Sequence, residues 1–267
     1  MRKVLFLLGR HKFYNLRALA GSEANELMAV FDGMAEQRLK ELKTLELRMG
    51  LSVGAFDVNL CPLDPVSKKR LEKLISQALE WQPQTIWFDH FRFNGHWEAM
   101  RKNNLEGEHL PCKWCRGKNK VKELIKLASW LKSRVKERTE IGFFAVPFKA
   151  EEVPPVIEKM GQDCQQLGEI FDIVCPMLYH RMIEKPDSYI TEFVSFLNRS
   201  TSKPILPIIQ IKDLPDDLPD EYKKSEIEQA FQWASKSPSA GVAWFCWDDA
   251  VETGKTKIIK KLFNDVI

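Results

Sequence analysis

Short apolar runs alternate with amphipathic segments along most of the chain. The runs are rich in β-branched and aromatic residues, and their near-continuous apolar character is typical of strands that are covered on both faces. Strands are predicted at Lys3–Gly9, Leu51–Leu60, Thr85–Phe93, Glu140–Phe148, Phe171–Tyr179, Pro204–Ile211 and Gly241–Trp247. Because helical segments connect successive strands, the strands should pair in parallel.

The connecting segments repeat their apolar residues at helical spacing. Asp64 and Pro65 begin one helix, since Asp caps a first turn and Pro fits the first helical position. The segment from Ser22 to Gly50 is predicted as one long amphipathic helix. Its apolar positions are Leu27, Val30, Phe31, Met34 and Leu42. Further helices are predicted at about 121–135, 152–167, 188–198, 224–235 and 254–266.

Two architectures fit this alternation, an open doubly wound sheet and a closed (β/α)₈ barrel. No phosphate-binding glycine motif follows a strand, and polar and aromatic residues follow nearly every strand, which favours the barrel. We therefore predict one TIM-barrel domain over residues 1–267, with a long loop insertion at about 94–118. The eighth strand is not evident. Either it lies in His11–Gly21, or the barrel is incomplete or irregular at its first strands.

Composition and charge exclude several classes of protein. The 267 residues are 44% hydrophobic and 29% charged, with a net charge of +3, as in an ordinary globular chain. No dense basic patch carries interleaved aromatic residues, so nucleic acid is not an expected partner. The apolar run Val4–Leu8 is too short for a secretory signal, and no run reaches membrane-spanning length. We expect a cytoplasmic protein with no membrane partner, and the sequence does not indicate its oligomeric state.

The densest polar cluster at a strand end lies in TIWFDHFRFNGHWE, residues 85–98. Side chains alternate along a strand, so Asp89 should share a face with Trp87 and Phe91, opposite Arg92. If that face lines the barrel interior, Asp89 lies at the carboxyl end of the interior. Parallel barrels hold their active sites at this end.

Hydrolysis of a glycosidic bond usually needs two carboxylates. Asp89 is the first candidate, and Glu98, in the loop that follows, is the second. The structural alternatives are a salt bridge from Asp89 to Arg92 or Arg181, and a solvent-exposed Glu98. Other carboxylates considered for the mouth are Asp57, Asp172, Asp248 and Asp249.

Sugar-binding sites combine aromatic faces with a few polar groups that fix orientation. The aromatic candidates are Trp97, Tyr179, Trp244 and Trp247, whereas Trp87 and Trp130 are interpreted as core. The polar candidates for substrate binding are Asp57, Arg92, His96, His180, Gln210 and Asp248. Each has a structural alternative, because large aromatics also fill barrel cores and a lone histidine is more often structural. Gln162 and Asp163 are placed within a helix and are expected to pack against the barrel rim.

Of the six cysteines, only Cys112 and Cys115 form a local motif. A C-x-x-C pair is half of a zinc site, and His109 or Cys61 could supply a further ligand. Three interpretations stay open for the pair: a structural zinc clip, a redox-labile disulfide, or plain thiols. The sequence indicates no other cofactor.

Several strings taken together resemble one family. The strings TIWFDHFRFNGHWE, LPCKWCR, GQD with DIVCPMLYHRM, and GVAWFCW are similar to segments of glycoside-hydrolase-like TIM-barrel proteins, over about residues 50–250. The resemblance implies a TIM barrel and a carbohydrate ligand. A more distant similarity to chitinase-type barrels rests on Met177, Tyr179 and the tryptophan of the last strand. Phe91 stands where those barrels carry their catalytic glutamate, so the resemblance does not imply their mechanism.

The leading hypothesis is a hydrolase of an O-glycosidic bond in an unidentified carbohydrate. It would use Asp89 with Glu98 or a neighbouring aspartate at the mouth of the barrel. The alternative is a non-catalytic barrel that binds carbohydrate or protein. A metal-assisted hydrolase ranks third, because the sequence has no H-x-H or H-E-x-x-H spacing.

Overall fold

Eight parallel strands form one sheet that nearly closes into a barrel. The computed structural model describes residues 1–9, 16–56, 60–93, 112–135, 138–149, 151–153, 155–214 and 219–266. The strands are β1 (Arg2–Leu7), β2 (Glu26–Val30), β3 (Arg48–Gly54), β4 (Thr85–Asp89), β5 (Glu140–Ala145), β6 (Ile173–Pro176), β7 (Ile208–Gln210) and β8 (Gly241–Phe245). Their order is β6-β5-β4-β3-β2-β1-β8-β7, and single bridges Val174–Ile205 and Met177–Ile208 join β6 to the β7 side. The predicted (β/α)₈ barrel is confirmed.

Helices connect the strands and cover the outside of the barrel. In the described ranges they are α1 (Leu16–Ala20), α2 (Glu36–Lys43), α3 (Pro65–Glu80), α4 (Lys120–Arg134), α5 (Pro155–Glu158), α6 (Cys164–Gly168), α7 (Tyr189–Ser200), α8 (Lys224–Ala234), α9 (Trp247–Glu252) and α10 (Thr256–Asn264). Asp64 caps α3 by accepting from Val66 N at 2.9 Å, with Pro65 at the first helical position, as predicted. None of the helices in these ranges is long and apolar enough to cross a membrane.

The predicted long helix over Ser22–Gly50 is wrong. That segment contains β2, the short helix α2 and the start of β3. The eighth strand is therefore β2. The described part of the other predicted location, residues 16–21, contains helix α1. In β2 the residues from Glu26 to Ala29 are all buried. Periodicity alone cannot distinguish such a short buried strand from a segment of helix.

The helix predicted at 152–167 is two short helices, α5 and α6. Gly161 separates them with φ +72°, a left-handed conformation that favours glycine. A Cβ at Gly161 would lie 2.9 Å from the backbone of Lys120, so this position needs a glycine for space as well. Asp163 is the N-cap of α6 and accepts from Gln165 N at 3.0 Å. Its predicted position inside a helix is therefore wrong.

Apolar side chains alternate between the two faces of the barrel wall. The interior set consists of Val4, Phe6, Met28, Trp87, Phe144, Ile173, Cys175, Leu206, Ile208, Ala243 and Cys246. Trp87 fills the space between β3 and β5, where an added Cβ would lie 2.5 Å from its indole at Gly50 and 2.4 Å from it at Gly142. These two glycines make room for the indole. Trp87 thus packs as core, two residues before Asp89 on the same strand.

An ion-pair network closes the amino-terminal end of the barrel. Arg2 donates to both carboxylate oxygens of Glu26, at 2.7 and 2.8 Å, and to Glu140 at 3.2 Å. Glu140 also accepts from Arg48 at 3.0 Å and from the Thr85 hydroxyl at 3.1 Å. The Glu26 side chain is 0% exposed, so its charge depends on these partners. The network joins the starts of five neighbouring strands at the end opposite the candidate site.

Candidate functional site

Asp89 ends β4 at the carboxyl-terminal end of the barrel, which we call the mouth. Its side chain is 32% exposed, so it is accessible to a ligand. His90 follows with φ +51° and donates its N–H to Asp89 Oδ1 at 2.7 Å. A left-handed histidine at a strand end is uncommon, and here it turns the backbone so that this N–H holds the carboxylate.

Arg92 is the cation beside Asp89. Burial lowers the pKa of Arg92, and the negative charge of Asp89 opposes that effect. The Nη1 atom of Arg92 is buried and has no hydrogen-bond partner among the residues that the structure describes. The prediction that Phe91 shares a strand face with Asp89 is wrong, because β4 ends at Asp89. Phe91 packs in the outer core against Phe171, with ring centroids 5.3 Å apart.

Asp32 is a second carboxylate at the mouth, and it was not among the residues predicted from the sequence. It lies two residues after β2, and its Oδ2 pairs with Arg70 Nη2 at 3.2 Å, while Arg70 Nη1 donates to Gly54 O at 2.9 Å. Its Oδ1 is buried without a hydrogen-bond partner in the described ranges. Burial raises the pKa of Asp32, and the charge of Asp89 raises it further, against the opposing effect of Arg70. The sequence signal was the apolar run LMAVF followed by Asp-Gly.

Tyr179 lies near Asp89. Its ring packs on Phe245 with centroids 5.0 Å apart, and Phe245 packs on Phe6 at 5.2 Å. Burial raises the pKa of the Tyr179 hydroxyl well above its ordinary value, and the charge of Asp89 adds to this effect. The hydroxyl therefore stays protonated as a hydrogen-bond donor. Tyr179 and Phe245 offer an aromatic surface beside the mouth, and Phe245 was not among the predicted residues.

Two predicted polar residues have partners within the protein at the rim. Asp248 is buried and accepts the Leu8 N–H at 2.9 Å, which ties the end of β1 to helix α9. Gln210 is buried and donates to Lys212 O at 2.8 Å. Asp249, an alternative carboxylate, lies 3.2 Å from Lys212 Nζ. These contacts support the rim and leave little of either predicted side chain exposed to a ligand.

Four residues that the sequence suggested for the site lie apart from Asp89, Asp32 and Tyr179. Trp244 stacks on Phe231 of α8 with centroids 5.8 Å apart, outside the barrel wall, because its neighbour Phe245 faces inward. Trp247 begins α9 and is buried in the outer core. Asp172 precedes β6 and accepts from Ile141 N at 2.9 Å, at the amino-terminal end. His180 is buried edge-on against Tyr222 at 5.8 Å.

His180 should make folding sensitive to acid. Burial lowers its pKa below the ordinary value, and its Nδ1 has no hydrogen-bond partner within the described part of the chain. As pH falls below the unfolded pKa of about 6.5, the unfolded chain gains a proton that the folded chain resists. We expect His180→Phe, which keeps the contact with Tyr222, to lose less stability than the native protein between pH 7.5 and 5. Urea unfolding at both pH values measures this, and equal losses would contradict it.

Asp57, His96, Trp97 and Glu98 lie outside the described residues, so their proposed roles stay predictions. Gln162, in contrast, is well defined. Its Oε1 accepts from Val146 N at 2.8 Å, and its Nε2 donates to Phe144 O at 3.0 Å and to Phe91 O at 3.3 Å. Gln162 therefore holds the ends of β4 and β5 together, consistent with the predicted rim packing.

Three cysteines form a cluster in the connections that follow β3 and β4. Cys61, in the connection after β3, meets Cys112 and Cys115, in the connection before α4. Cys61 and Cys115 are buried, and Cys112 is partly exposed. Of the two extra ligands suggested by the sequence, Cys61 lies in this cluster, and His109 lies outside the described residues.

The fold is shared with solved glycoside hydrolases. The PgaB (BpsB) glycoside hydrolase domain from Bordetella bronchiseptica matches with a TM-score of 0.72 at 10% identity, covering 98% of this chain and 99% of that one. A GH18 chitinase from Cycas revoluta matches at 0.65 and 12% identity, covering 98% and 100%. A GH113 β-1,4-mannanase matches at 0.61 and 12% identity, covering 99% of each chain. At such identities the similarity shows the fold alone, and it confirms the glycoside-hydrolase-like resemblance at that level.

No family model matches this chain. No curated protein matches it either.

Proposed function

We propose that the protein hydrolyses an O-glycosidic bond of a carbohydrate at the mouth of its barrel. The observation that carries this proposal is the placement of two carboxylates, Asp32 and Asp89, around Gly54 at the end of β3. Arg70 donates to Asp32 at 3.2 Å and to Gly54 O at 2.9 Å, and Gly54 pairs in register with Asp89 of β4. They are close enough for the charge of one to raise the pKa of the other. Paired carboxylates in unlike environments are the usual equipment for glycoside hydrolysis. The glycoside hydrolase fold supports the same reaction class.

The two carboxylates have different environments, which suggests different roles. Asp89 accepts the His90 N–H at 2.7 Å, is partly exposed to a ligand, and lies beside buried Arg92. It is proposed as the nucleophile or base. Asp32 has a raised pKa and a buried oxygen free of described partners, which suits a general acid that must hold its proton. Tyr179 is proposed to donate a hydrogen bond to a sugar hydroxyl, with Phe245 supplying an apolar face.

A panel of oligosaccharides tests the proposed reaction. The first members are (GlcNAc)₄ and β-1,4-linked mannan fragments, because similar folds act on or bind these sugars. We expect the native protein to release shorter products, detected by mass spectrometry. Saturable binding by calorimetry without cleavage would favour the non-catalytic alternative. Neither binding nor cleavage across a broad panel would contradict both.

Asp32→Asn tests the second carboxylate. We expect kcat/KM to fall by about 10²-fold or more, since a positioned acid contributes about 10²–10⁴-fold. Activity of the native enzyme should fall as pH rises through the raised pKa of Asp32, because the acid must be protonated. The variant should lack that alkaline limb. If Asp32→Asn is unaffected while Glu98→Gln is inactive, the acid is Glu98, as the sequence suggested.

A further inference from the structure

The cysteine cluster lies between two loops at the mouth and has no part in the proposed reaction. Cys61 belongs to the loop that follows β3, whereas Cys112 and Cys115 belong to the connection from β4 to α4. Strands β3 and β4 are direct neighbours in the barrel. The three sulphur atoms all lie within 4.8 Å of one another, although more than fifty positions separate Cys61 from Cys112 in sequence.

The spacing of the sulphur atoms fits a shared metal ion better than a disulfide. The Sγ atoms of Cys112 and Cys115 are 3.7 Å apart. Two thiolates on a tetrahedral zinc ion, at Zn–S of about 2.3 Å, would be about 3.8 Å apart. A disulfide would need about 2.05 Å. A disulfide would also leave the third buried thiol unused.

Backbone N–H groups point at two of these sulphur atoms. Trp114 N lies 3.4 Å from Cys112 Sγ, and Cys112 N lies 3.3 Å from Cys115 Sγ. Donors of this kind stabilise a thiolate, the form of cysteine that binds a metal. The turn is held by Arg116 N, which donates to Cys112 O at 3.0 Å.

Both ligand loops lead directly into capped helices. Asp64, three residues after Cys61, caps α3, and Asn119, four residues after Cys115, caps α4 by accepting from Lys122 N at 3.0 Å. The helices fix the ends of the loops, so the thiols are held together without a large loss of chain entropy on binding.

We propose that Cys61, Cys112 and Cys115 bind one Zn²⁺ ion that clips the loop after β3 to the connection before α4. Three thiolates select a soft or borderline metal, and a C-x-x-C pair with a third sulphur is a usual zinc ligand set. Cys164 begins α6, and Cys175 and Cys246 lie in the barrel interior. The fourth ligand is therefore a nitrogen or oxygen atom. The ion has a structural role, and neither Asp32 nor Asp89 is among its ligands.

Metal analysis of the protein, purified under reducing conditions and dialysed against Zn²⁺ and then metal-free buffer, tests this inference. We expect about one zinc per chain in the native protein and a loss of most of it in Cys61→Ala, Cys112→Ala and Cys115→Ala. Cys164→Ala is the matched control, because it removes a thiol outside the cluster, and it should retain the full zinc content. X-ray absorption should show three sulphur neighbours at about 2.3 Å and one lighter atom.

A second measurement separates metal loss from failure to fold. A strong chelator should lower the melting temperature of the native protein and of Cys164→Ala, but should not change that of a folded Cys61→Ala. No zinc in the native protein, a full zinc content in Cys61→Ala, or a Cys112–Cys115 disulfide in peptides from reduced, metal-treated protein would overturn the inference. Oligosaccharide cleavage is read separately, so failure of this site leaves the proposed function untouched.

Discussion

Replacing Asp89 with asparagine should reduce kcat/KM for the cleaved oligosaccharide by about 10²–10⁴-fold, the usual contribution of a positioned proton-transfer group. Asparagine keeps the size of the side chain and an oxygen that can accept the His90 N–H, now 2.7 Å from Asp89 Oδ1. It removes the charge and the ability to take up a proton. The loss should fall mainly on kcat, because the shape of the binding surface is retained.

Asp265→Asn is the matched control for this change. Asp265 is exposed after α10, away from the carboxyl ends of the strands, and loses the same charge. It should keep native activity. Circular dichroism should show that both variants are folded, and calorimetry should show that Asp89→Asn still binds the sugar. A value of kcat/KM for Asp89→Asn within about twofold of the native value would exclude Asp89 as the nucleophile or base.

Replacing Arg2 with methionine should reduce the free energy of unfolding by about 3–5 kcal/mol, which is typical when one partner of a buried pair is removed. Glu26 would stay fully buried and lose both hydrogen bonds from the Arg2 guanidinium. Arg48, with its Nε 3.8 Å from Glu26, compensates only in part because it is half exposed. Urea unfolding measures the change.

The double variant Arg2→Met with Glu26→Met distinguishes a lost attraction from an unpaired buried charge. We expect it to recover much of the stability lost by Arg2→Met, because no buried charge is left without a partner. Lys40→Met is the surface control. It breaks the exposed pair with Glu36 at 2.8 Å and should leave the free energy of unfolding nearly unchanged, because solvent screens an exposed pair. A double variant less stable than Arg2→Met would contradict this explanation.

The sequence predicted the barrel and the position of Asp89 because local signals were unambiguous there. Thr85–Asp89 is an apolar strand that ends in a polar loop, and Asp64-Pro65 marks a helix start. Asp32 was missed for a physical reason. The buried residues of β2, taken with Phe31 and Met34, also fit helical spacing, so strand and carboxylate were merged into one helix.

The sequence could not show which side chains of β8, and of the chain after β6, point into the barrel and which point outward. Periodicity shows that Trp244 and Phe245 point in opposite directions, but not which of them faces the interior. The structure places Phe245 inside and Trp244 outside. Strand β6 ends at Pro176, so alternation does not extend to His180, and contacts distant in sequence decide its surroundings.

The most direct test of the proposed function is a crystal structure of Asp89→Asn with the oligosaccharide that the native protein cleaves. The proposal predicts a sugar at the mouth, with its scissile bond within hydrogen-bond reach of the side chain at position 89, about 2.6–3.2 Å. Asp32 should lie at the same bond, and a sugar ring should rest against Tyr179 or Phe245. A sugar bound elsewhere on the protein, or one at the mouth that touches neither position 89 nor Asp32, would contradict it.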